Sequence, residues 1–134
     1  MNETRIGFTC SCFDLLHAGH ILMLKDAKAQ CDKLIVGLQI DPTIDRPEKN
    51  KPIQSLEERR IQLEAVKYVD EVILYETENE LYTLLYKLMP DVRILGSDYS
   101  NKYFTGIELH IPIYFHKRNH DYSTSSLREK IKKH

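Results

Sequence analysis

Residues 5–31 read RIGFTCSCFDLLHAGHILMLKDAKAQC. The short apolar run RIGFTC has the pattern of a strand. From Ala18 onward Ile21, Leu22, Leu24, Ala27 and Cys31 recur at helical spacing. A strand that passes directly into a helix opens a βαβ pattern, and the rest of the chain repeats it. KLIVGLQI (33–40) is a nearly continuous apolar run, as suits a strand covered on both faces of a parallel sheet. DPTIDRPEKNKPIQS (41–55), with three prolines and mixed charges, reads as a long loop. Ser55 with Glu58 forms a capping box for the amphipathic segment LEERRIQLEAVKYV. DEVILYE is a third strand. Thr77 with Glu80 caps a third helix, which Pro90 ends, and DVRILG and IPIYFH are strands four and five. Ser126 with Glu129 suggests a capping box for a last helix. The order implies an α/β fold: an open, three-layer, mostly parallel sheet of five strands with helices on both faces. In such sheets ligands bind outside the carboxyl ends of the strands. That directs attention to Thr9–His20, Gln39–Lys51, Gly96–Tyr103 and His116–Ser126.

His17 and His20, with Gly19 between them, lie where the first strand gives way to the first helix. Free N–H groups and the dipole at a helix start favour an anion. Glycine lets a ligand come close to the backbone. Histidines three apart share a helix face, so the pair suits phosphate oxygens, with imidazole donors available to developing charge. Zinc is the weaker reading, because a helical zinc motif more often spaces its histidines four apart with a third ligand elsewhere. Cys10 and Cys12 form a C-x-C with no second cysteine pair to complete a tetrahedron, so they read as small strand-end residues.

Bulk properties narrow the function classes. The chain has 134 residues, suggesting one domain over 1–134. Hydrophobic residues make up 42% and charged residues 29%, an ordinary globular composition. A net charge of −1 gives no field for nucleic acid. No apolar run approaches the ~20 residues of a membrane span, and MNETRIGF lacks the features of a signal peptide. Three cysteines do not make a disulfide framework, so reduced thiols in a cytoplasmic protein are expected.

CFDLLHAGHILMLKDAK resembles the H-x-G-H signature of cytidylyltransferase-type nucleotidyltransferases. SLEERRIQLEAVKYVDEVI is similar to the second-helix block of the bacterial glycerol-3-phosphate cytidylyltransferases, ILGSDY to their G-x-D-[WY] stretch, and RNHDYSTSSLREKI to their R-x-x-x-x-S-T-[TS] ending. Four blocks in the right order cover nearly the whole chain. The resemblance implies a Rossmann-like fold, a homodimer, and transfer of CMP from CTP, with Mg²⁺, to a small phosphorylated acceptor such as glycerol 3-phosphate. Pyrophosphate leaves after direct in-line attack, so the protein positions reactants and stabilises charge. Heptose-phosphate adenylyltransferases share the H-x-G-H and a similar ending, so ATP with a sugar phosphate is the alternative. A catalytically inactive nucleotide-binding relative is another, but it should show a broken H-x-G-H or a lost arginine, and neither is lost. A synthetase fragment lacks its K-M-S-K-S-like loop here, and a dinucleotide-binding domain its G-x-G-x-x-G.

The resemblance also assigns roles. His17 and His20 contact the triphosphate and stabilise the transition state. Thr9, Cys10, Ser11, Cys12, Phe13, Asp14 and Gly19 belong to the nucleotide loop, and Asp14 either orients that loop, caps the next turn or assists a metal. Lys49 and Lys51 reach phosphates from the long loop, or are simply solvated. Arg59 matches a family arginine, with an ion pair to Glu58 or Glu64 as the plain alternative. Lys67 stands where the relatives carry an acceptor-side arginine. Gly96 and Asp98 belong to the nucleotide side, and Arg118 is the signature arginine near the triphosphate. Ser123, Thr124 and Ser125 suit phosphate oxygens at a helix start, although one of them would serve as an ordinary N-cap. Ser11 replaces a family glycine, and His120 and Asp121 replace part of the usual ending.

Overall fold

The computed structural model describes residues 3–118 and 122–133; His120 and Asp121 lie outside the described residues. Five strands alternate with four helices: β1 Ile6–Ser11, α1 Ala18–Ala29, β2 Lys33–Gln39, α2 Leu56–Glu64, β3 Glu71–Tyr75, α3 Glu78–Leu88, β4 Val92–Gly96, β5 Ile113–His116 and α4 Thr124–Lys132. Two short 3-10 turns, Ser97–Tyr99 and Ile107–Leu109, occupy the irregular stretch before β5. The sheet order is β3-β2-β1-β4-β5, and every pairing is parallel. This is a Rossmann-like α/β fold.

The apolar run in β2 is buried on both faces, as its composition requires. Leu34, Val36 and Leu38 pack with Leu24 and Ala27 of α1 and Leu63 of α2. Ile35 faces the other way, with Phe8, Tyr75 and Leu81 and Leu85 of α3. The α3 side is tight: a Cβ on Gly37 would sit 3.0 Å from both Phe8 Cζ and Cys10 Cβ. The capping boxes at Ser55–Glu58 and Thr77–Glu80 are both formed. The one expected at Ser126–Glu129 is not. Ser123 caps α4 instead, accepting the Ser126 N–H at 2.9 Å. In a run of four hydroxyl residues local sequence cannot choose between registers, and the one seen here brings Thr124 and Arg128 onto the β1–α1 loop.

The strand order reverses between β1 and β4. Chain leaving β1 turns one way towards β2 and chain leaving β4 turns the other, which opens a crevice at their carboxyl ends. Among the described residues no helix is long and apolar enough to cross a membrane.

Candidate active site

A cleft of about 600 Å³ occupies that crevice. Its walls come from the ends of β1 and β4, the loop after β2, the start of α3 and the start of α4. Of the residues singled out in the sequence, Thr9 through Asp14, His20, Lys49, Gly96, Thr124 and Ser125 line it.

The two histidines are built into the start of α1. His17 is the N-cap, in extended backbone, and its Nδ1 accepts the Gly19 N–H at 3.0 Å. His20 Nδ1 accepts the His17 N–H at 3.2 Å. Gly19 is buried and its amide is taken by this cap rather than offered to a ligand. The rings lie 3.9 Å apart at 34°, and Phe13 packs 5.4 Å from His20. Because His20 Nδ1 accepts, its ring in the neutral form carries the proton on Nε2, and that N–H is a donor. Burial and the neighbouring His17 push the His20 pKa down to about 4, against a smaller upward pull from Asp14. His20 is therefore neutral at pH 7, a donor rather than a cation.

The loop carrying this pair is strained, and neighbours hold it. Phe13 and Leu15 adopt φ of 47° and 52°, left-handed values that cost a non-glycine residue energy. Asp14 is 2% exposed. Its carboxylate accepts the N–H groups of Ile53 and Gln54 at 2.9 and 3.0 Å and the Arg128 guanidinium at 2.7 Å. Burial pushes its carboxyl up, but the two amides and Arg128 together hold it below the usual carboxylate range. The Leu15 N–H donates to Gln54 Oε1, and Thr124 Oγ1 to the Asp14 carbonyl. Asp14 is thus a loop-orienting residue. Three donors engage its two oxygens, so neither oxygen is left wholly open to a metal. Nor do three His, Cys, Asp or Glu side chains gather as a metal site among the described residues.

Arg59 also departs from its expected role. It is 2% exposed and outside the cleft walls. Its guanidinium donates to the carbonyls of Cys12 at 3.0 Å, Gln39 at 2.7 Å, Ile40 at 2.7 Å and Gln54 at 3.2 Å. Its bonds go to these carbonyls rather than to Glu58 or Glu64, and they tie together the loops after β1 and β2. Lys67 is a second correction. It follows α2 and precedes β3, at the amino ends of the strands, where its ammonium lies 5.3 Å from the Tyr68 ring. That is the far side of the sheet from the cleft.

Lys51, Asp98 and Arg118 are exposed and do not line the cleft. Arg118 donates to the Tyr122 carbonyl. Asp98 folds back so closely that a Cβ on Gly96 would meet its Oδ1 at 2.7 Å. Ser123 acts as the α4 cap, and Ser125 faces the cleft. The residues that sequence reading passed over are Gln54 and Arg128, which have no short-range signal, and three that line the cleft: Arg46 from the loop after β2, Glu78 from the start of α3 and Arg93 from β4.

A family model described as cytidylyltransferase-like matches residues 8–130. The bifunctional protein HldE of Helicobacter pylori (strain HPAG1) is 41% identical over 133 residues, covering 98% of this chain. The chain spans only 28% of that relative's length. The lipopolysaccharide core biosynthesis protein from Thermoplasma volcanium is similar in structure, with a TM-score of 0.69 and 27% identity over 90% of this chain and 100% of that one. Pantothenate synthetase from Thermus thermophilus shares the fold, with a TM-score of 0.58 at 16% identity over 84% of this chain and 55% of that one.

Proposed function

The chain belongs to the cytidylyltransferase-like family, and we propose that it transfers the nucleotidyl group of a nucleoside triphosphate to a sugar phosphate. One observation carries the reading: at a helix start, His20, its Nδ1 taken by the His17 N–H, lines a cleft at the strand crossover as a neutral imidazole with Nε2–H as its donor. An acceptor phosphate oxygen attacks the α-phosphorus. The bond from that phosphorus to the bridging oxygen breaks, and pyrophosphate leaves with the electron pair. No covalent intermediate on the protein is required, so the chain positions both substrates and neutralises the charge that develops. His20 donates from a neutral ring. Lys49, on the loop after β2, follows the phosphates as a point charge, and Ser125 faces them from α4. Magnesium enters as part of the nucleotide substrate, carried on phosphate oxygens.

The saccharide nature of the acceptor is supported by the solved neighbour, named for lipopolysaccharide core biosynthesis. ATP accompanies that reading, as the nucleotide of the sugar-phosphate branch. CTP with glycerol 3-phosphate is the second reading, supported by the four ordered sequence blocks. Binding of ATP and CTP, each with Mg²⁺, to wild type and His20→Ala separates them, followed by pyrophosphate release with sugar phosphates and glycerol 3-phosphate. The expected result is ATP preference, lost affinity in the variant, and a fall in turnover of about 10²–10³ with the fold intact. A CTP preference selects the second reading. Turnover unchanged in His20→Ala, or no binding of either nucleotide, refutes nucleotidyl transfer at this site.

A further inference from the structure

Arg93 stands in the middle of β4, paired with Phe8 of β1 and Ile113 of β5. It is 3% exposed and yet lines the cleft. Its Nη1 donates to the Thr105 carbonyl, its guanidinium lies 5.3 Å from the Phe104 ring centre, and its buried Nε has no hydrogen-bond partner. Among the described residues no carboxylate pairs with it. Glu78, on the same wall, is engaged by Arg46 at 3.6 Å and by the Thr105 hydroxyl at 3.0 Å. A guanidinium does not lose its proton in a protein, and burying it without a counter-charge is costly. One carbonyl, the buried neutral Cys10 thiol and one ring face do not neutralise it, and the nearby Glu78 carboxylate is already shared by Arg46 and Thr105. A phosphate would, since two of its oxygens match the planar fork of an arginine.

We propose that Arg93 is the seat of the acceptor's phosphate, so that the α3 side of the cleft holds the acceptor and the histidine side holds the nucleotide. This rests on the chain acting on a phosphorylated acceptor. It assigns to Arg93 the task that the sequence had given to Lys67. Arg46 and Lys49 add positive charge from the facing loop.

The test is calorimetric titration of inorganic phosphate into the full chain and into His20→Ala, Arg93→Met and Arg93→Gln, with ATP and CTP binding measured beside it. His20→Ala removes the histidine donor and should keep the phosphate site. Arg93→Met and Arg93→Gln should weaken phosphate by about 30-fold or more while nucleotide affinity stays at the wild-type value. Their melting temperatures should be unchanged or higher, because a lone buried charge has gone. The glutamine variant keeps a donor for Thr105, so it reports on charge even if the methionine variant folds poorly. Phosphate affinity that is unchanged in Arg93→Gln, or absent in wild type, overturns the proposal. So does a melting temperature that falls while phosphate binding persists, which would make Arg93 a staple for the Thr105 loop. If neither nucleotide binds wild type, the transferase reading fails, while the phosphate titration still reports on Arg93.

Discussion

His20 shows how a single side chain takes its chemistry from its surroundings. An imidazole in water titrates near pH 6.5, but burial and the adjacent His17 ring hold this one down to about 4. In the unfolded chain it takes up a proton as the pH falls through its ordinary value, while in the folded chain it does not. The stability it contributes is complete above about pH 6.5 and is lost as the pH falls towards 4, on the order of 3 kcal/mol in all. Urea unfolding at pH 7.5 and 4.5 should therefore show a marked loss of stability at the lower pH, and His20→Gln should shrink the difference. An equal difference in both proteins would mean that His20 is not held neutral. The spacing H-x-x-H was legible as a pair on one turn at a helix start. The tautomer was not, because it depends on which ring nitrogen meets a backbone amide. Asp14 is similar: its type and place could be read, but its three donors come from residues 39 to 114 positions away.

At the level of elements, the site is a set of helix starts and loop ends held in register. The caps at Ser55 and Thr77 were readable because a capping box spans three residues. The α4 cap was not, because Ser123, Ser125 and Ser126 are locally equivalent. Ser123 carries the cap, and Ser125 lines the cleft. Ser123→Ala should thus cost about 1 kcal/mol of stability and leave nucleotide affinity nearly intact. Ser125→Ala should do the reverse. A thermal effect from Ser125→Ala with unchanged affinity would assign that hydroxyl to the helix alone. Arg59 illustrates the opposite limit. Four carbonyls from the loops after β1 and β2 and from the approach to α2 converge on one guanidinium, and none of them is marked in the sequence as needing a donor. The strained Phe13 and Leu15 persist because Arg59, Gln54, Thr124 and Arg128 together over-determine the loop that contains them.

For the molecule as a whole, function follows from which end of the sheet a residue reaches. Parallel strands place all their carboxyl ends together, and the crossover between β1 and β4 opens the cleft there. Lys49 lies on that edge and Lys67 on the other, though both are lysines beside the second helix in sequence. Lys67→Ala should leave kcat and acceptor KM within about twofold of wild type; a tenfold rise in acceptor KM would put Lys67 in a working site. What the sequence determined by itself was the alternation of strand and helix, the buried character of β2, the two capping boxes and the histidine pair. Each depends on periodicity or on contacts within one turn, which the local order of residues encodes. Only the tertiary structure decided that Asp14 and Arg59 orient loops, that Lys67 is remote, and that Arg93 is a buried cation facing the cleft. Those roles arise from groups far apart in the chain, brought together by the order of strands in the sheet, and no short-range pattern records that order.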